Sequence, residues 1–388
     1  MSDIAKKIEQ LVFVTPEVTV GTFVMPNSAD CLPLTGAISA TQTPSYTDSP
    51  EMNSTRGLQA RFQDGLVAGE LSLTCLMNIN AAGTPPRGAV LLTSLMGTET
   101  VNAGVDVQYL QAAKKPSFSV AYRKGHATYY VSGAVTTELK LTMADKKGAA
   151  DFNFTGKFLK QITVGDDSVA TLSSAAQAVV SVTDASRFMV GGYVQNKACA
   201  AASGLADSNT DLGYKIITVD LINNELTLAD NLAYDWAVSE EVIGFLPAKS
   251  SGGTPLKKKD ANLLLGGVEG VPTNFDLTIS ESVVVIENEM TSSPYPTEYV
   301  EDTRKISGSY KVYFRKDQSA NLIADNDGLE RELKLTLGPV GSNQLVMTLP
   351  RVPQETAKVE ENGPALVLAN TYNALETNGD DSASLKFI

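Results

Sequence analysis

The sequence predicts a mainly β fold, built as two tandem β domains with a small β module between them. Three observations carry this. Short segments alternate polar and apolar residues with period two, helix signals are scarce, and one order of elements is written twice. Glu138 to Met143, Phe152 to Phe154, Lys215 to Leu221, Glu225 to Leu228, Glu332 to Leu337 and Gln344 to Leu349 all read as strands. "RKGHA" (Arg123 to Ala127) and "GPVGSN" (Gly338 to Asn343) are hairpin turns between neighbouring strands. Pro85 to Gly97, with proline at its start and glycine at its end, and the shorter Asp317 to Asp325 supply one helix for each half.

The duplication rests on order more than on identity. A strand around Ala37 to Thr43 is followed by a long polar excursion and then by "GELSLTCLMN" from Gly69. A strand around Phe275 to Glu281 is followed by a similar excursion and then by "GSYKVYFRKD" from Gly308. The spans are 32 positions (Ala37 to Gly69) and 33 positions (Phe275 to Gly308). Each half continues as helix, strand, tight turn and strand. Each then closes on two further strands, "ELKLTM…FNFTG" in the first half and "PALVLA…ASLKFI" in the second. The predicted units are residues 1–162, an acidic β module at 163–250, and a linker with the second domain at 251–388. A length prior of about 150 residues per domain agrees with that count.

Composition narrows the function classes. The net charge of −13 disfavours a phosphate-backbone binder, because a chain of like sign repels nucleic acid at range. Residues 163–250 hold eleven acids against four bases, so over half of that charge is local to the module. It leaves through "PAKSSGGTPLKKKD", a Gly/Ser/Pro/Lys linker. No apolar tract is long enough to span a bilayer and no secretory signal is read near the start, so synthesis in the cytosol is expected. Cys31, Cys75 and Cys199 are widely spaced and odd in number, which favours buried free thiols over disulfides or a metal site.

Catalytic patterns are sparse. His126, the one histidine, sits in the "RKGHA" turn, so His-based metal sites and a His-dependent triad have no second member. "LLLGGVEG" (Leu263 to Gly270) lacks the lysine and Ser/Thr of a phosphate loop and reads as loop. "DNDG" (Asp325 to Gly328) lacks the downstream glutamate of a calcium loop. Carboxylates such as Glu287 with Glu289, or Glu301 with Asp302, leave a glycosidase open, although Trp236 is the only tryptophan. No enzyme activity and no cofactor are expected. The excursions are the unusual features, since arms of this length serve as binding loops in compact domains. The second, Glu281 to Asp302, carries six acids and no base, whereas the first includes Arg56, Arg61 and Phe62.

The opening "TPEVTVGTFVMPNSADCLPLTG" (Thr15 to Gly36) resembles the N-terminal phrase of the tail tube (major tail) proteins of long-tailed bacteriophages. The sequel resembles them too: a strand, a long arm, "GELSLT", one helix and paired hairpins ending in "FNFTGKF" (Phe152 to Phe158). The middle module departs from the simplest members. The resemblance implies a domain of two packed β-sheets with one helix and a long arm. Such domains join edge to edge around a lumen, which removes exposed sheet edges, and the rings stack into a filament. With two domains per chain, three chains then form a pseudo-hexameric ring in a virion tail. Tape-measure and tail-end proteins are the further partners, and DNA passes through without tight binding.

Period-two alternation points Leu71, Leu73 and Cys75 to the core and leaves Glu70, Ser72 and Thr74 as candidates for the lumen face, with Ser309, Lys311 and Tyr313 as counterparts. Arm candidates for contact with other subunits are Arg56, Arg61, Phe62 and Asp64 in the first half. In the second they are Glu287, Glu289, Tyr295, Tyr299, Glu301, Asp302 and Arg304. A surface adhesin whose acidic module binds a receptor, and a secretion-tube subunit of related fold, are the competing expectations.

Overall fold

The computed structural model describes residues 10–49, 61–66, 68–144, 148–198, 213–250, 252–286, 295–315, 329–339, 343–353 and 358–388. The fold is mainly β. β1 (Gln10–Pro16), β2 (Ser39–Thr41), β3 (Pro44–Asp48), β4 (Arg61–Leu66), β5 (Gly69–Leu76) and β6 (Asn78–Ile79) precede α1 (Ala89–Met96). After it come β7 (Gly97–Asn102), β8 (Asp106–Gln111), β9 (Phe118–Lys124), β10 (Ala127–Met143), β11 (Asp151–Phe158) and β12 (Lys160–Gly165). The middle segment holds β13 (Asp167–Ser168), β14 (Val179–Ser181), β15 (Tyr193–Asn196), β16 (Tyr214–Asp220), β17 (Glu225–Leu228) and β18 (Glu241–Gly244). The remainder is β19 (Thr254–Pro255), β20 (Asn262–Leu265), β21 (Val268–Gly270), β22 (Pro272–Ile286) and β23 (Glu298–Tyr313), then β24 (Arg331–Leu337), β25 (Leu345–Val352), β26 (Lys358–Asn362), β27 (Ala365–Asn373) and β28 (Ser384–Phe387).

Eight strands run in the order β2-β5-β11-β10-β22-β23-β27-β26, so one sheet draws on both ends of the chain. Its central joint is the antiparallel ladder from Glu138↔Ser280 to Met143↔Phe275. A second sheet, β21-β20-β24-β25-β28-β8-β7, also mixes the two ends, because the C-terminal β28 inserts between β25 and β8. The two sheets and α1 enclose one hydrophobic core, with Leu73, Leu92, Phe154, Leu277, Leu335 and Phe387 all buried in it. Alternation explains the burial: β5 buries every second residue from Gly69 to Cys75.

β10 is long enough to serve two sheets. Its first part pairs with β9 and β12, its last part with β11 and β22. The change of direction falls at Gly133. Its φ of +66° lies in the left-handed region, and a Cβ there would meet the Leu159 side chain at 2.7 Å, so glycine is required. The outward face of β9, β10 and β12 carries the middle module, whose six strands run β13-β18-β15-β16-β17-β14 around Trp236, Tyr214 and Val242. Ala121, Tyr130, Ile162 and Val164 complete that second core, and the Tyr130 hydroxyl lies 2.8 Å from the carbonyls of both Tyr193 and Phe245. β12 therefore runs across the expected boundary at 162/163.

Other sequence expectations meet different outcomes. The turn at Arg123 to Ala127 lies between the paired β9 and β10. In the middle module Asn224, at φ 55°, turns the chain between β16 and β17. α1 starts at Ala89 rather than Pro85, behind Gly88 in the left-handed region. The second expected helix, "DNDG" and Cys199 lie outside the described residues. Leu263 to Gly270 is not a loop: it is the β20–β21 hairpin, because Leu263 and Leu265 alternate into the core and Gly266-Gly267 (φ 56° and 84°) make the turn. The expected closing pair "PALVLA…ASLKFI" is also corrected, since β27 and β28 belong to different sheets. β27 lies between β23 and β26, and the "KVEEN" of β26 shows no apolar alternation because it is an exposed edge strand.

The two glycine-led stretches share one local device. Gly69 lies opposite Phe158 and Gly308 opposite Tyr372 in their ladders, and each aromatic ring crosses the space a side chain would fill. Gly69→Ala is expected to destabilise the chain by about 1–3 kcal/mol through overpacking, and Gly69→Ala with Phe158→Leu by less. Urea denaturation of the two variants measures the difference.

Candidate functional site

The eight-stranded sheet has two unlike faces. One covers the core. The other carries Glu70, Ser72 and Thr74 on β5, with Asn153, Thr155 and Lys157 directly opposite on β11. Across the joint it continues through Thr278 and Asp276 to Ser309 and Lys311, whose neighbours Tyr310 and Val312 are buried. Thus the six candidates for this face, including the exposed Tyr313, lie opposite the core side of one continuous sheet. The body of the face carries five carboxylates (Glu70, Glu138, Asp151, Asp276, Glu360) and five lysines (Lys140, Lys157, Lys305, Lys311, Lys358), and only the outer part of the β22–β23 hairpin, with Glu298 and the exposed Asp302, adds to the acidic side. Lys311 pairs with Glu360 at 2.6 Å, and Thr74 donates to Asn153 at 2.8 Å.

The sheet stays open at both ends. Among the described residues β2 pairs only with β5, and β26 only with β27. On the core side at the β26 end, Val359 and Leu366 are 43% and 48% exposed. Unpaired edges with apolar side chains are the surfaces that sheets use to bind further strands.

The arms behave differently from one another. β3 and β4 form a hairpin in which Arg61 pairs with Asp48 at 2.8 Å and lies over the Tyr46 ring. Phe62 is 56% exposed there. Asp64 lies on β4, while Arg56, Glu287 and Glu289 fall outside the described residues. The second arm is the outer part of the β22–β23 hairpin, and four of its candidates for contact with another subunit meet partners within this chain. Tyr295 sits under the Lys160 ammonium (5.0 Å), and burial pushes the Tyr299 phenol up to about 12, beside Ser117. Glu301 accepts from the Lys115 backbone N–H, and Arg304 donates to the Ala112 carbonyl. All these partners belong to the first half of the same chain; Asp302 remains exposed.

A buried ionic cluster lies beneath that arm. Lys115 Nζ is 2.8 Å from Glu281 Oε2 and donates to the Thr136 carbonyl, while Arg304 Nε reaches the same Glu281 oxygen at 2.8 Å. Asp380 lies 3.2 Å from the other side of Arg304. Burial holds the Lys115 pKa below the usual lysine range, against the opposing pull of Glu281. Alternation and motif reading missed this cluster, because Lys115 lies 166 and 189 positions from Glu281 and Arg304 and only the folded joint unites them. A second link between the halves is Lys386 to Asp106, 2.5 Å, across the β28–β8 ladder. Hydrogen bonding from Lys386 holds the Asp106 carboxyl below its ordinary range.

A cleft of about 430 Å³ lies beside the start of α1 and is lined by Pro16, Pro85, Pro86 and Pro116 with Asp30, Arg87 and Glu99. Arg87 is spent on the carbonyls of Cys31 and Ser250. Ser117, also in the lining, donates to Glu17, which further accepts from Ser119, Gly21 and Gly133 and so fixes the loop after β1. Cys31 and Cys75 are buried free thiols, and burial pushes Cys75 up to about 12. No helix among the described residues is long and apolar enough to cross a membrane. No family model matches the chain, and no curated protein matches it.

Glu281→Ala strands Lys115 and Arg304 as buried charges and is expected to cost about 3–5 kcal/mol in denaturant titrations, more than Lys115→Met with Glu281→Met. The depressed Asp106 pKa contributes stability that is present above the ordinary aspartate value and lost as pH falls through the folded value. Asp106→Asn should therefore flatten the acid limb of a stability–pH profile measured from about pH 5 downward.

Proposed function

We propose that this chain is a structural subunit that assembles into stacked rings, forming the tail tube of a virion and a conduit for DNA. One observation carries the reading. Each half contributes four strands to a single sheet in the same order. Numbered by position in the sequence, this is first-second-fourth-third: β2-β5-β11-β10, then β22-β23-β27-β26. A duplicated domain accounts for that order, and the matched glycine–aromatic pairs support it. The chain is then two tandem tube-like domains, the first running through β12 to Gly165 and the second at 251–388, with the module between them on the outside. Three copies supply six four-stranded groups, enough for a pseudo-hexameric ring closed through its sheet edges.

The charge-balanced polar face suits a lumen. DNA crossing it meets lysines interspersed with at least as many carboxylates, so little counterion release is available to hold it. The arm that lies over the first half of its own chain is the reach of one domain to the next, made here within one chain. Non-closing contacts between rings extend the tube, with tape-measure and tail-end proteins as its partners. A secretion tube shares every one of these features and differs in cargo. A receptor-binding role for the module is favoured by Leu221 and Ile222, 65% and 91% exposed at the tip of the β16–β17 hairpin, and is compatible with the tube.

Negative-stain microscopy of the purified chain is expected to show rings or tubes of uniform width, with three chains per ring by native mass spectrometry. Six chains per ring would overturn the pseudo-hexamer, and a persistent monomer at high concentration would overturn the tube.

A further inference from the structure

We infer that the seam between copies repeats the seam inside the chain: β26 of one copy pairs antiparallel with β2 of the next, with Asn362 opposite Thr41. This seam deepens the tube reading and rests on it. Inside the chain the joint is made by the third strand of one group, β10, and the first strand of the other, β22. The two open ends of the sheet are a third strand, β26, and a first strand, β2. They are thus a complementary pair, and each is held apart from its partner by the width of the whole sheet.

The register follows from two landmarks. Gly69 lies opposite Phe158, and Gly308 lies opposite Tyr372. Counting outward from these pairs through the ladders makes Val359 the counterpart of Leu139, Leu366 of Phe152, Asn362 of Thr142, and Thr41 of Asp276. In the chain Thr142 lies opposite Asp276, which places Asn362 opposite Thr41 at the new seam.

Exposure agrees with the assignment. Leu139 and Phe152 are each 1% exposed, because β22 and its core-side residues Leu277 and Ile279 cover them. Val359 and Leu366, at the matching positions, are 43% and 48% exposed. An isologous β26–β26 contact would cover Val359 but would leave β2 open and could not close a ring.

Cysteine pairing tests the register. In an antiparallel pair, directly opposite Cα atoms are about 4.5–5.5 Å apart, within disulfide reach, and a two-residue slip adds roughly 6.6 Å, which is beyond it. Chains carrying both Thr41→Cys and Asn362→Cys, assembled and then oxidised with copper phenanthroline, are expected to give a covalent ladder on non-reducing gels that stops at three chains. The pair Ser39→Cys with Asn362→Cys should cross-link at least about tenfold more slowly. A mixture of the two single variants should give dimers only, which supports the seam even where the double variant assembles poorly. Rings visible by microscopy without Thr41–Asn362 cross-links, or dimers from Asn362→Cys alone, would overturn the seam and leave the tube reading standing. Absence of rings from the unsubstituted chain as well would overturn both.

Discussion

The antiparallel ladder between β10 and β22 is the constraint on which the rest of the molecule depends. It turns two four-stranded groups into one sheet with one core side and one polar side. A slip of one residue there would turn Leu277 and Ile279 out of the core and drive Asp276 and Thr278 in, so burial alone fixes the register strongly. The ionic cluster above it acts in the same direction. Lys115 comes from the first half and Glu281 and Arg304 from the second, and any other register leaves charges buried and unpaired.

The halves are also held at a distance from that ladder. β28 enters the other sheet between β25 and β8, with Phe387 edge-on to Tyr109 and Lys386 on Asp106. Two ladders in two sheets, with shared core between them, leave no hinge at the joint. The pairing of opposite ends of the chain gives this joint high contact order, so closure entropy opposes it until both ladders form together.

β10 extends the same logic to the middle module. Turning at Gly133, it leaves one sheet and enters another, whose outer face supplies Tyr130, Ile162 and Val164 to the module's core. The module is thus docked by shared side chains and by the Tyr130 hydroxyl, although its own six-stranded sheet is separate. Over half of the chain's net charge belongs to residues 163–250, none of which lies on the sheet face proposed to meet DNA.

The β class, most strands and the core-facing alternation of β5 and β23 were legible in the sequence, because period-two burial depends on near neighbours alone. So was the echo of the two glycine-led stretches. Three features were not legible. β26 is an edge strand with polar residues on both sides, so it carries no alternation to read. β28 looked like the partner of β27 because it follows it, whereas its apolar residues fit a gap in the other sheet. The roles of Tyr299, Glu301 and Arg304 depended on where the arm lies, a distance of more than a hundred positions along the chain from its contacts. The sequence by itself determined which residues form strands and which of their faces is apolar. Only the tertiary structure decided which strand lies beside which, because pairing is a competition among edges for hydrogen bonds and buried area that distant parts of the chain settle together.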